Sequence, residues 1–216
     1  HSSWRLRRRN VLPKMQKVRE SKTLQPEEIQ DVIKALDTEP ISFKTMIMFL
    51  MCTGCRRGEA IALTWDKIDW NKREVLLDRS TGYTPTDGII TGTTKTGKAR
   101  IVTSDTAAAV FCCSVLYDAW EPTNLVFTRW NGKILNPNTV NLELKEFCKR
   151  HDLPHINPHL FRHSAASILI SNGVDVLSVS QMLGHSNIST TLNTYSHALE
   201  ESRQKTAAAV SDVILQ

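Results

Sequence analysis

With 216 residues, 41% hydrophobic and 23% charged, the chain can bury one core without disulfide support, and no apolar run approaches the ~18–20 residues of a membrane span. The net charge of +5 is mild but uneven: Arg5, Arg7, Arg8, Arg9, Lys14, Lys17 and Arg19 crowd the start, a pattern that suits a polyanion partner or a solvated tail. Five cysteines, with Cys112 and Cys113 adjacent, do not make a disulfide framework, and HSSWRLRRRNV lacks the apolar stretch of a secretory leader; a cytoplasmic protein without a membrane role is expected.

Residues 1–22 read as a basic interdomain linker or an expression remnant, and the folded domain is expected over 23–197. LQPEEIQDVIKAL places Pro26 and two glutamates in a first helical turn, followed by Ile29, Val32, Ile33 and Leu36 at helical spacing. SFKTMIMFLMC is apolar almost all round, which predicts a helix central to the core; Thr53-Gly54 then turns into a short helix over Arg57 to Leu63. Between Trp70 and Val102, the β-prone runs REVLLD, GIITG and ARIVT alternate with Gly- and Thr-rich turns and predict a small antiparallel sheet. Helices are expected again at about 105–118, 138–151, 158–171, 175–183, 188–195 and 198–214. The fold class is therefore mainly α with a small antiparallel β-sheet (α+β).

Cys52-Thr-Gly-Cys55 is a C-x-x-C pair, but it ends an apolar helix with no βαβ unit around it, which argues against a redox motif. His159 and His163 in HLFRH have metal-ligand spacing on a helix, yet they lie far from the cysteines and no second C-x-x-C exists. No metal is expected. Cys52 is expected in the core and Cys55 at a variable position of the turn. Trp65 and Trp70 are expected as core residues rather than stacking platforms, and Ser164 and Ser167 as helix packing.

The surroundings of the cysteines carry more. TGCRRGE holds two arginines on a tight turn after a buried helix. Downstream come TTKTGKARIV with Lys95 in a hairpin turn, HLFRH, LGH with His185, and STTLNTY ending in Tyr195. Each of the first two is weak alone; H-x-x-R-H, then L-G-H, then a tyrosine ten residues on is specific. In this order and spacing, from about Leu24 to Tyr195, the chain resembles the catalytic domain of the tyrosine recombinases, or phage-type integrases, and in particular integrases of phages and bacterial conjugative transposons.

The resemblance implies that Arg56 and Arg162 are paired catalytic arginines, Lys95 the acid for the leaving group, His159 and His185 the two histidines, and Tyr195 the nucleophile. Glu59 matches the family's acidic position and His163 a supporting position behind the catalytic set. Chemistry explains these residue types. Attack of a phenol on a phosphodiester concentrates charge on the non-bridging oxygens, which two guanidinium forks meet without a metal. The phenol, with an ordinary pKa of about 10, needs a base, and His159 is the expected one. No cofactor, metal or ATP is implied. Double-stranded DNA is the implied partner, with a homo-tetramer on two sites, an accessory directionality factor and nucleoid association. Residues 198–216 end in Val213, Ile214 and Leu215 and are expected to dock on a neighbouring protomer, with packing in cis as the alternative. The rival functions are relaxation of supercoils in the manner of a type IB topoisomerase and a catalytically silent DNA-binding module.

Overall fold

The computed structural model describes residues 23–103, 123–200 and 202–204. Helix α1 spans Pro26–Leu36 and starts where the sequence predicts: Gln25 and Glu28 cap each other reciprocally, Pro26 opens the first turn, and Val32 and Leu36 are buried. Helix α2, Ile41–Thr53, buries Met46, Ile47, Phe49 and Leu50 and ends on Gly54, which is left-handed at φ 57°. A side chain would be strained in that conformation, and a Cβ would stand 3.3 Å from Leu183 Cδ2. Helix α3, Arg57–Ile61, follows at once, with Arg56 as its N-cap and Glu59 reaching back to the Arg56 backbone.

A short 3₁₀ turn, Trp65–Lys67, leads to β1 (Ile68–Asp69), β2 (Glu74–Leu77), β3 (Arg79–Thr84), β4 (Gly88–Thr93) and β5 (Arg100–Thr103). All pairing is antiparallel, but in two ladders: β1-β2-β5 and β3-β4. The register explains the split. Leu77 pairs with Arg100, and the next pair is Arg79 with Thr93, so Asp78 alone stands opposite residues 94–99. One long ribbon thus bulges where its two strands have unequal lengths, and Lys95 sits in this outward loop rather than in a hairpin closing two adjacent strands.

Helices α4 (Pro137–Arg150), α5 (Pro158–Ser171), α6 (Val176–Leu183) and α7 (Ile188–Thr194) complete the described architecture. Each is opened by a side-chain cap, from Asn136, Asn157, Asp175 and Asn187 respectively. The main core joins α1 and α2 to α3, the β1-β2-β5 ladder and α4, with Phe49, Leu144, Phe147 and Phe161 among its buried side chains; Trp65 and Trp70 pack on its margin. A second, smaller cluster contains Ala166, Ile170, Val179, Leu183, Tyr195 and Ala198. No helix among the described residues is long and apolar enough to cross a membrane. The expected helix at 105–118 lies outside the described residues, as does most of the one expected at 198–214.

The two cysteines exchange their expected places. Cys52 is exposed and Cys55 buried, because the turn at Gly54 folds the chain back and carries Cys55 under α3 and against the core. Burial pushes the Cys55 thiol up to about 12, so it is inert at neutral pH. Among the described residues, no three His, Cys, Asp or Glu side chains gather as metal ligands.

Candidate active site

Glu59 organises the site from beneath. Its side chain is fully buried and accepts hydrogen bonds from the Arg56 backbone N (2.7 Å) and Arg56 Nη1 (3.0 Å), and from Arg100 Nη1 (2.9 Å) and Nη2 (2.6 Å). Burial alone would raise its pKa; the Arg100 and Arg56 bonds outweigh burial and hold the carboxyl below its ordinary value. The first arginine is therefore fixed through a carboxylate that is ionised at neutral pH.

Arg162, on α5, is buried as well. Its Nη1 donates to Gly54 O at 2.9 Å and its Nη2 to Leu183 O, so the C-terminal ends of α2 and α6, where helix dipoles are negative, hold the guanidinium. Burial first, then the Arg56 and Arg100 charges, pull its pKa down to about 10; it stays charged at pH 7. Two of its five donors are spent on these carbonyls, and the rest remain for a ligand.

His185 follows Gly184, whose left-handed φ of 66° ends α6. Its Nδ1 lies 2.8 Å from the hydroxyl of Thr191, a residue wholly buried on α7. Burial and the nearby Arg162 and Arg56 push the imidazole down to about 4. A neutral ring whose Nδ1 is occupied keeps Nε2 for a substrate oxygen.

Tyr195 ends α7 and is only 3% exposed. Its hydroxyl stands 2.9 Å from Nδ1 of His163, not against His159, the base expected from sequence. His159 instead packs edge-on to His163, with ring centroids 5.6 Å apart, and the residue keeps an edge open to solvent. Burial raises the Tyr195 phenol to about 12, with Arg162 opposing. Burial also lowers His163, helped by the His159 and Arg162 charges, and burial together with Arg162, Arg56 and Lys95 lowers His159. With the phenol protonated and His163 neutral, Oη–H donates to Nδ1, which requires the tautomer with its proton on Nε2.

Lys95 is exposed at the tip of its loop. The loop is closed by Gly97 N donating to Thr94 O at 2.8 Å and is anchored by the buried Thr94, whose hydroxyl donates to Lys98 O at 2.8 Å. All six expected catalytic positions and both supporting ones are thus described. Arg56, Arg162 and His185 share one electrostatic environment, Tyr195 and His163 meet directly, and Lys95 is near enough for its charge to depress His159. Arg100 is the residue sequence reasoning missed: besides binding Glu59, its Nε donates to Met182 O at 2.6 Å, and its guanidinium lies so close over Gly184 that a Cβ there would meet Nη1 at 3.0 Å.

The scaffold that brings this phenol, histidine and pair of guanidiniums together has counterparts among solved structures. The Tn1549 transposon integrase, solved in complex with circular intermediate DNA, matches with a TM-score of 0.77 at 21% identity, over 88% of this chain and 67% of that one. The XerA recombinase matches with a TM-score of 0.67 at 20% identity, over 91% and 67%. The architecture is that of the tyrosine recombinase catalytic domain. The chain belongs to the phage integrase family, whose model matches residues 22–202. It is similar to the ICEBs1 integrase of Bacillus subtilis (strain 168), 24% identical over 88% of this chain and 54% of that protein. It is also similar to a XerC-like tyrosine recombinase of Caldanaerobacter subterraneus, 26% identical over 91% and 55%. The chain therefore spans about half the length of these curated relatives.

Proposed function

We propose that residues 23–197 are the catalytic domain of a site-specific DNA recombinase or integrase, with 1–22 as the linker from a preceding domain. Tyr195 Oη attacks a backbone phosphorus of duplex DNA. The bond to the 5′ oxygen breaks, a 3′-phosphotyrosine forms, and Lys95 gives the departing 5′ oxygen its proton. A 5′ hydroxyl from a partner site then attacks the phosphotyrosine, restoring the phosphodiester and the phenol. Bond energy is conserved through the covalent intermediate, so neither ATP nor a metal enters the balance. Arg56 and Arg162 neutralise the non-bridging oxygens, and His185 donates to one of them through Nε2.

The observation that carries this reading is the Tyr195 hydroxyl, buried and hydrogen-bonded to His163 Nδ1 at 2.9 Å, with the charge of Arg162 acting on it. A tyrosine packed for structure alone gains nothing from a cationic wall, whereas a phenolate nucleophile is stabilised by one. His163 takes the proton in place of the expected His159, which serves at the exposed mouth as a contact to the phosphate. Four protomers on two DNA sites, a directionality factor, a cytoplasmic and nucleoid-associated location, and docking of the C-terminal segment on a neighbouring protomer, beyond Ala198 and Leu199 that pack in cis with Tyr195, complete the proposal.

The test begins by selecting bound duplexes from a random pool with this chain. A nicked suicide substrate of the selected sequence should then leave protein attached to a 3′ phosphate, and paired sites should yield recombinant joints. Relaxed circles without joints would instead indicate a topoisomerase, and binding without a covalent product a silent DNA-binding module.

A further inference from the structure

Four arginines approach the site, and three are committed to acceptors within the protein. Arg56 binds Glu59 at 3.0 Å, Arg100 binds Glu59 at 2.9 and 2.6 Å and Met182 O at 2.6 Å, and Arg162 binds Gly54 O at 2.9 Å and Leu183 O. The fourth, Arg57, has no hydrogen-bond or carboxylate partner among the described residues, although its side chain is partly buried. Desolvation lowers its pKa with nothing opposing, while its charge reaches His159. A guanidinium partly removed from water and left without a protein acceptor is unfavourable in the free protein, and an anion in the site would offset that cost.

The backbone beneath Arg57 is fixed. Helix α3 lies so tightly on β3 that a Cβ at Gly58 would stand 2.5 Å from Thr81 O and 2.6 Å from Ser80 Oγ. The same short helix is tied down by the buried Glu59 carboxylate, which binds Arg56 and Arg100, so Arg57 is carried on an anchored backbone. Successive residues at a helix start send their side chains in diverging directions, and the Arg56 guanidinium is already turned to Glu59, which leaves Arg57 to meet an anion of its own.

We propose that Arg57 binds a second DNA phosphate, one flanking the attacked phosphate on the cleaved strand, and so fixes the register of the strand over Tyr195. The inference rests on the DNA-cleaving reading above. It assigns Arg57 to positioning, because its partner is not the reacting group.

The test pairs substitutions in the protein with removal of single charges from the DNA. Duplexes of the selected sequence carry one methylphosphonate at each position flanking the cleavage point, and are titrated with wild-type chain, Arg57→Gln and Arg57→Lys, each first checked for an unchanged thermal midpoint. One flanking methylphosphonate should weaken wild-type binding about tenfold or more, as expected for a charge-assisted hydrogen bond, and cost Arg57→Gln nothing further. Arg57→Lys should retain part of the effect. The slope of log affinity against log salt should fall by about 0.9 in Arg57→Gln. If every flanking methylphosphonate costs Arg57→Gln as much as it costs the wild type, the site is overturned while the DNA reading stands. Failure of the wild-type chain to retain any duplex overturns both.

Discussion

Arg100 and Glu59 form a buried, two-pronged ion pair, Nη1 to Oε1 at 2.9 Å and Nη2 to Oε2 at 2.6 Å, between residues 41 positions apart in the chain. Because the same carboxylate holds Arg56 and the same guanidinium reaches Met182 O, the pair ties three pieces together. The ribbon with the Lys95 loop, the start of α3 and the α6–α7 junction with His185 are held in one frame. Lys95, Arg56 and His185 owe their common location to this contact.

Arg100→Met leaves the Glu59 carboxylate in the interior with Arg56 as its remaining charged partner, and should cost about 3–5 kcal/mol, as for other broken buried pairs. Adding Glu59→Leu removes the stranded charge and should restore much of the stability. Cleavage should not return, because Arg56 has lost its anchor. Urea unfolding together with suicide-substrate cleavage separates the two effects; a double variant that regains cleavage would reduce the pair to packing.

The sequence foretold what is local. Helix boundaries are legible where Pro26 and two glutamates open α1 and Gly54 closes α2. The residues proposed to act on DNA stand out because their motif spacing is specific. Arg100 was not: it reads as the first residue of a β-prone run, and its value arises only when α6, 82 positions away, closes over it. Cys52 and Cys55 were misplaced for the same kind of reason, since the direction of the chain after the left-handed Gly54 decides which sulfur faces inward. His163 was ranked behind His159 because spacing alone cannot say which of two rings on one helix face the tyrosine approaches.

Tyr195 has a folded pKa raised to about 12, above the ~10 of an unfolded chain. Folding thus favours the protonated phenol. The stabilisation is complete below pH ~10 and is lost as pH rises through the folded value, and two units correspond to about 2–3 kcal/mol. Between pH 9 and 11.5 the wild type should lose more stability than Tyr195→Phe, measured by urea unfolding. At neutral pH Tyr195→Phe should bind duplex with unchanged affinity and form no covalent adduct; an adduct would move the nucleophile elsewhere.

For His163 the expected outcome lies in the pH profile. Burial lowers its pKa, so the ring stays neutral and able to accept a proton to below the ordinary imidazole value of about 6.5. Single-turnover cleavage should hold constant through neutral pH and fall only below that value. His163→Gln should slow cleavage by about 10²–10⁴-fold and flatten this acid limb. His159→Gln should weaken phosphate contact but keep the limb; the reverse pattern returns the base to His159.

Deleting residues 200–216 tests the docking of the C-terminal segment. Removal should weaken DNA-dependent assembly, read by sedimentation on paired sites, and alter cleavage through the placement of Tyr195 near the new end. Unchanged behaviour in both assays would mean that the segment acts in neither.

Lys95 and Lys98 flank the same turn, and both are exposed, so exposure does not choose between them. Their expected roles make different demands on the leaving group. An alkoxide leaving without a proton is the conjugate base of an alcohol about as weak an acid as water, at ~15.7, whereas a thiolate, from a thiol of pKa about 8.5, leaves unaided. Lys95→Ala should therefore be slowed about 10²–10⁴-fold on ordinary DNA and recover most of that loss when sulfur replaces the bridging 5′ oxygen. Arg56→Ala and Arg162→Ala should not recover, since their partners are non-bridging oxygens that the replacement leaves untouched. Lys98→Ala should lose salt-sensitive binding alone. Because Thr94 and Gly97 fix the loop without help from the Lys95 side chain, Lys95→Ala should keep its thermal midpoint, so a rate defect rescued by sulfur reports the proton and not the fold. Rescue of Lys98→Ala instead would assign the acid to the other lysine, and rescue of neither would pass it to His159.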